Sequence, residues 1–238
     1  MTYEAILFDL DGVIIDTQQV VREFWEGIAQ AHGVHLTQAD FDQHIYGCPD
    51  THTLEVLFPP LSADERRSIL AKMTHVETNM TYTALDGVIE LLALLRQRAI
   101  PTALVTSAYQ WKVQEVLSQL NLDGIFTVQV TAEDIQKGKP HPECYLQAAR
   151  KLRQPPGRCI VFEDAVSGVK AAVASGALCV GVQVPGKAAE LLRAGARHVV
   201  SNFRQVALLE GQKKAQETWY VLQIGPESSL PIMTSGLT

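Results

Sequence analysis

Asp9 and Asp11, separated by one leucine, follow the short apolar run Ala5-Ile6-Leu7-Phe8. Three other segments carry reactive side chains just past an apolar run. Thr106-Ser107 follows Thr102-Ala103-Leu104-Val105, and Glu163-Asp164 follows Cys159-Ile160-Val161-Phe162. Lys137-Gly138-Lys139-Pro140 lies beyond a weaker run from Phe126 to Val130. Carboxylates can act as nucleophile, acid or base, and they are hard oxygen ligands for a cation. A lysine and hydroxyls supply donors for an anion. Taken singly, each is a strand end meeting water, a turn hydroxyl or a solvated lysine, and Lys137 is read that way. Together, acids, a hydroxyl pair and a lysine from four segments point to one site.

The elements that must position them follow from the hydrophobic pattern. Consecutive apolar residues read as strands buried on both faces of a parallel sheet. Two more such runs are Leu178-Cys179-Val180-Gly181-Val182 and His198-Val199-Val200. Between them lie helical patterns at Gly87–Arg98, Trp111–Leu120, a segment opened by Pro142, and Val166–Ser175 stopped by Gly176. This alternation predicts an α/β fold with a doubly wound, Rossmann-like parallel sheet. In such sheets ligands bind beyond the carboxyl ends of the strands, where all four reactive segments fall. Residues 18–82 break the alternation with helices and no good strand. Val20, Val21, Phe24, Trp25 and Ile28 recur at helical spacing, and Ser62-Ala63-Asp64-Glu65 reads as a capping box. The expected domains are an α/β core (1–17 and 83–210), an inserted helical unit (18–82) joined by a two-stranded hinge near Thr17 and Thr83, and a tail (211–238) in which Trp219–Ile224 is a candidate strand.

Composition narrows the function classes. A chain of 238 residues with 47% hydrophobic and 19% charged residues is long enough to fold without a metal or disulfide staple, and it is not disordered. The net charge of −6, with no Lys/Arg run, argues against a nucleic-acid partner. Cys48, Cys144, Cys159 and Cys179 lack metal-ligand spacing, a usage that suits a reducing cytosol. No apolar stretch reaches about 18 residues and no signal-like segment opens the chain. A soluble, cytoplasmic protein with no membrane partner is expected, as a monomer with a dimer left open.

The segment Phe8-Asp9-Leu10-Asp11-Gly12-Val13-Ile14-Ile15-Asp16-Thr17 resembles the first motif of the haloacid dehalogenase-like phosphohydrolases, in the branch with a helical cap after that motif. Val105-Thr106-Ser107, Lys139-Pro140 and Val161-Phe162-Glu163-Asp164 resemble the second, third and fourth motifs. The resemblance spans about residues 3–207. It implies a Mg²⁺-dependent phosphatase of a small phosphorylated metabolite, working through an aspartyl phosphate. In that reading Asp9 is the nucleophile, and Asp11 is the general acid and then the base that activates water. Thr106, Ser107 and Lys139 hold the phosphoryl oxygens. Asp9, Asp164 and the main-chain carbonyl of Asp11 hold Mg²⁺, with Glu163 a further ligand or an indirect contributor. The chemistry is consistent: an acyl phosphate hydrolyses far more readily than the very inert phosphate ester, so one hard step becomes two easier ones. Dehalogenases, which attack carbon without a metal, lack the second aspartate.

The cap should close over the substrate and exclude water. Gln18, Gln19, Arg22, His44, Tyr46 and Asp50 are its candidate substrate contacts, and their mixed polarity suits a phosphosugar. His44, like His141, also suits a plain surface position. Asp16 is expected as a helix cap, and Ser167 and Gly168 as helix and loop chemistry near the site. The alternative is a β-phosphoglucomutase-like enzyme. Such mutases typically place a histidine soon after Asp-Thr and an arginine in the cap loop, and the corresponding positions here are Val21 and Asp50. Hydrolysis is therefore expected ahead of mutation. An idle binding module would first lose Asp9, Asp11, Lys139 or Asp164, and all four are present.

Overall fold

The computed structural model describes residues 2–183, 188–214, 217–226 and 228–235. Six parallel strands form the main sheet: β1 (Ala5–Phe8), β2 (Thr102–Val105), β3 (Val128–Val130), β4 (Cys159–Glu163), β5 (Leu178–Val182) and β6 (His198–Val200). Their order is β3-β2-β1-β4-β5-β6. The chain thus leaves β1 in both directions, which makes the carboxyl end of β1 the switch point where a crevice opens. Every residue of β1, β2 and β4 is buried, as continuous apolar runs require when helices cover both faces.

Side-chain alternation splits the core in two. Ile6, Phe8, Leu104, Ile160 and Phe162 face α5 (Val88–Gln97) and α6 (Gln110–Gln119), and Phe8 stacks on Phe162 at 5.3 Å between ring centroids. Ala5, Leu7, Ala103, Val105 and Val161 face the other side. There they meet Tyr145 and Ala148 of α7 (Glu143–Lys151), Val169 and Ala172 of α8 (Val166–Ser175), and Leu191 of α9 (Ala188–Ala194).

Between β1 and β2 the described chain is helical: α1 (Gln18–Ala31), α2 (Gln38–Asp40) with a π-helical turn at Phe41–Ile45, α3 (Asp50–Leu57) and α4 (Ala63–Asn79). The insert has its own core, in which Trp25 packs on Phe58 at 5.8 Å with Ile28, Phe41, Leu54 and Ile69. Ser62 caps α4 reciprocally with Glu65, and Thr37 does the same for α2 with Asp40, each offsetting orphan N–H groups at a helix start. The two crossings into the insert run side by side. Asp16 N–H donates to the Thr83 carbonyl at 3.0 Å and Leu85 N–H to that of Ile14 at 2.9 Å.

The C-terminal residues form a second, antiparallel sheet from β7 (Val206–Lys214), β8 (Glu217–Ile224) and β9 (Ser228–Ser235), in the order β7-β8-β9. The period-two set Tyr220, Leu222 and Ile224, with Leu230 and Ile232, enters the same core as α5. Tyr3 ties this sheet to the chain start: its N–H donates to the Pro231 carbonyl, and its carbonyl accepts from Met233 N–H, both at 2.9 Å. The candidate strand Trp219–Ile224 lies within β8. The expected boundary at residue 210 needs correction, because β7 runs straight through it.

Candidate active site

The parallel register sets the site's floor. Phe8 is level with Leu104 on one side and Phe162 on the other, so Asp9 comes level with Val105 and Glu163, and Thr106 and Asp164 follow one residue later. Asp9 N–H donates to the Phe162 carbonyl at 3.1 Å and Thr106 N–H to that of Val130 at 2.9 Å, which prolongs the sheet through the reactive residues. Gly12 makes the turn back at φ +71°, a conformation that only glycine adopts cheaply. A β-carbon there would lie 2.0 Å from Asp164 Oδ2, so the bare backbone lets the Asp164 carboxylate lie against the first loop.

Lys139 is buried and donates to three acceptors. Its Nζ is 2.9 Å from Asp9 Oδ1, 2.6 Å from Glu163 Oε1 and 3.4 Å from the Val105 carbonyl. Burial by itself would lower its proton affinity, but the Asp9 and Glu163 carboxylates more than offset that, so it stays charged. Asp9 is pushed above the usual carboxylate range, first by burial and further by Glu163 and Asp11, with Lys139 opposing. Asp164 is raised by burial, then by Glu163 and Asp9. Three buried carboxylates share one ammonium here, an arrangement short of positive charge.

Asp9, Glu163 and Asp164 each present an oxygen within 4.8 Å of the others. Glu163, however, is already occupied. Its Oε1 accepts from Lys139 and from the Tyr145 hydroxyl at 2.7 Å, and its Oε2 accepts from the N–H groups of Asp164 at 3.0 Å and Ala165 at 3.2 Å. Gly168 makes room for it, since a β-carbon there would fall 1.8 Å from Oε1. Asp9 and Asp164 are thus the carboxylates with capacity for a cation. Their hard oxygens, their proximity and the unbalanced negative charge fit Mg²⁺.

Above this floor the insert covers an open cleft of about 870 Å³, its solvent-filled mouth included. Asp9, Asp11, Thr106, Ser107 and Asp164 line it, and Lys139 stands directly behind Asp9. The Ser107 hydroxyl donates to the Gly47 carbonyl at 3.0 Å and the Ser167 hydroxyl to the Tyr46 carbonyl at 3.1 Å, pinning the insert's loop to the core. The Thr106 hydroxyl accepts from Ala108 N–H at 3.0 Å.

Of the expected substrate contacts, Gln18, Tyr46 and Asp50 line the cleft, and Gln18 Nε2 donates to Asp164 Oδ2 at 2.7 Å. Gln19, Arg22 and His44 are not among its walls. The correction follows from helical phase and from side-chain partners. Gln19 lies about a quarter turn away from Gln18 on α1; Arg22 is one turn from Gln18, and its guanidinium is drawn to Glu26, Gln38 and the Phe41 ring at the rim. Gln19 bonds Glu23, Arg22 pairs with Glu26 at 2.9 Å and covers the Phe41 ring, and His44 meets His52 at 3.3 Å. The expected cap by Asp16 is also absent. Thr17 is the N-cap residue of α1, and its hydroxyl goes to Asp11 Oδ1 at 2.7 Å instead. Sequence reasoning missed Lys112 and Glu77, two charged residues on helices that both line the cleft. A buried lysine on an amphipathic helix leaves no local signal.

The profile of the haloacid dehalogenase-like hydrolases matches residues 3–176. The chain is 34% identical over 177 residues to a phosphorylated carbohydrates phosphatase of Thermotoga maritima, covering 73% of this chain and 82% of that one. It is 32% identical over 189 residues to hexitol phosphatase A of Escherichia coli, covering 78% and 85%. Among solved structures, a β-phosphoglucomutase of Clostridium difficile superimposes with a TM-score of 0.71 at 26% identity, covering 86% and 93%. The chain belongs to the haloacid dehalogenase-like hydrolase family and is a phosphoric monoester hydrolase. No helix among the described residues is long and apolar enough to cross a membrane.

Proposed function

We propose that this enzyme hydrolyses small monophosphorylated carbohydrates through a phosphoryl group carried on Asp9. The observation that carries this reading is Asp9 at the β1 end, 2.9 Å from the buried Lys139 ammonium and facing the same cleft as Asp11, Thr106 and Asp164. An Asp9 oxygen attacks phosphorus and the bond to the sugar oxygen breaks, with Asp11 giving that oxygen its proton. Asp11 then takes a proton from water, which attacks the phosphorus, and the bond to Asp9 breaks to release inorganic phosphate. Lys139, the Thr106 hydroxyl and Ser107 N–H orient the phosphoryl oxygens. Asp9, Asp164 and the Asp11 carbonyl would hold Mg²⁺, which when bound supplies the positive charge that lets two anions meet. Helices α1–α4 act as the cap that excludes water.

The charge of the cleft lining supports a neutral, hydroxylated leaving group. Asp50, Glu77, Thr51 and Tyr109 belong to it, and Lys112, the one lysine or arginine among the described lining residues, is already ion-paired. A second phosphate would meet carboxylates there, which favours hydrolysis over a mutase that must grip a bisphosphate. Val21, apolar, also lines the cleft. The test is a screen of sugar phosphates with Mg²⁺, alongside β-glucose 1-phosphate with a trace of β-glucose 1,6-bisphosphate. Phosphate release is expected. Formation of glucose 6-phosphate outrunning phosphate release would overturn the reading. Asp9→Asn should cost several orders of magnitude in turnover, and wild-type activity in that variant would refute the covalent route.

A further inference from the structure

Tyr109 lines the catalytic cleft, yet it is 50% exposed. Among the described residues its side chain takes part in no hydrogen bond, ion pair or ring contact. The other aromatic residue of the lining, Tyr46, is buried, and its ring packs on Phe41 at 5.5 Å. Tyr109 thus brings to the cleft an aromatic face that the protein itself leaves uncovered. It has no part in starting α6 either: it occupies the N-cap position but makes no side-chain cap bond there.

The backbone that carries this ring is held on both sides. Ala108 N–H donates to the Thr106 hydroxyl at 3.0 Å, and the Ala108 carbonyl accepts from Ala132 N–H at 3.0 Å. Gln110 N–H donates to the Glu133 carboxylate, at 3.1 Å to one oxygen and 3.2 Å to the other. The Tyr109 carbonyl accepts from Lys112 N–H at 3.1 Å. A ligand that covers the ring therefore has only two side-chain torsions to fix, which costs little entropy. Tyr109 is three residues past Thr106, so its Cα is within about 11 Å of the residue that orients the phosphoryl group.

A sugar closed into a pyranose ring is amphipathic. Its hydroxyls project around the rim, while C–H groups gather on a ring face as an apolar patch that an aromatic ring covers well. An open-chain polyol holds no such patch in place. We propose that Tyr109 is the sugar platform of this site: its ring stacks on the C–H face of the substrate, while Asp50 and Thr51 of the same lining offer oxygens to the rim hydroxyls. The enzyme thereby prefers ring-closed sugar phosphates to open-chain polyol phosphates. This inference rests on the carbohydrate reading above and narrows its substrate class.

The test compares kcat/KM for glucose 6-phosphate and glucitol 6-phosphate with Mg²⁺. Both carry the phosphate on the same primary carbon, and they differ in whether the chain is closed into a ring. The ratio of the two therefore cancels the phosphoryl chemistry and reports recognition of the ring. Wild type should favour glucose 6-phosphate. Tyr109→Ala should lower the ratio about fivefold, the fold-change that corresponds to an aromatic contact of about 1 kcal/mol. Tyr109→Phe, which keeps the ring and drops the hydroxyl, should keep the preference. Because Tyr109 is half exposed and caps nothing, both variants should fold, and an unchanged thermal midpoint checks this. An unchanged ratio in Tyr109→Ala overturns the proposal, and a fall in Tyr109→Phe as large as in Tyr109→Ala assigns the effect to the hydroxyl and overturns the stacking. Those outcomes leave the carbohydrate reading standing. Wild-type turnover of p-nitrophenyl phosphate with none of either sugar phosphate would sink that reading and the platform with it.

Discussion

Glu163 holds the Lys139 ammonium at 2.6 Å, closer than the 2.9 Å between that ammonium and Asp9. The ammonium beside Asp9 is therefore anchored from behind, by a carboxylate that faces the protein rather than the cleft. Glu163→Gln should be costly, since an amide cannot accept at both ends and one buried donor set, Lys139 with Tyr145 or the two N–H groups, loses its acceptor. About 3 kcal/mol of folding stability should be lost, measurable as a lowered urea midpoint at unchanged slope. A midpoint equal to wild type would contradict the anchoring role.

Gly12→Ala tests the close approach of the first loop to Asp164. The substitution must adopt φ +71° and place a β-carbon 2.0 Å from Asp164 Oδ2. Backbone strain alone costs about 1–2 kcal/mol, and Asp164 must move. Turnover should fall at least about 100-fold, with a thermal midpoint lowered by only a few degrees. Full activity would mean that Asp164 need not lie against this loop.

Chelation should stop turnover and added Mg²⁺ restore it. Ca²⁺ should substitute poorly because it prefers more ligands and looser geometry. Calorimetric titration of Mg²⁺ gives a readout independent of catalysis: Asp164→Asn should weaken binding at least about tenfold, and Glu163→Gln should weaken it less because Glu163 is already committed to four donors. Activity surviving excess EDTA would remove Mg²⁺ from the reading.

Asp50 gives a pH signature. Its pKa is pushed up to about 7, first by burial and then by the nearby Glu77 carboxylate. For an acid raised on folding the charged form is penalised, so wild-type stability should decline as pH rises from the ordinary value of 3.8 towards about 7. Asp50→Asn removes that penalty. Its stability relative to wild type should therefore grow between pH 5 and pH 7.5 in urea titrations. A difference that stays flat or shrinks across that window would rule out the half-buried, crowded environment assigned to Asp50.

The positions of Asp9, Thr106 and Asp164 were legible in the sequence because each follows a short apolar run, and that of Lys139 because the Lys139-Pro140 pair resembles the family's third motif. A parallel sheet places the ends of such runs along one edge whatever the remaining contacts are. The six strands, four of the helices between them and the helical insert followed from local periodicity, and the capping box of Ser62 from a spacing of three residues. Chain-local patterns did not report which way a helix turns once it packs. Gln18 lines the cleft and Gln19 does not, because the insert's core around Trp25 and Phe58 fixes the rotation of α1, and Arg22 is held away by Glu26, Gln38 and Phe41. Nor could they report that Glu163 spends its oxygens on Lys139, Tyr145 and two N–H groups, or that the C-terminal residues form a sheet against α5. Lys112 is the sharpest case: its partners Asp11 and Glu77 are 101 and 35 residues away. Sequence spacing determines what lies at the end of a strand or along one helix face, whereas a charge shared by a core helix, a strand-end loop and an inserted helix exists only once tertiary packing has brought all three together and excluded the water that would otherwise satisfy each of them.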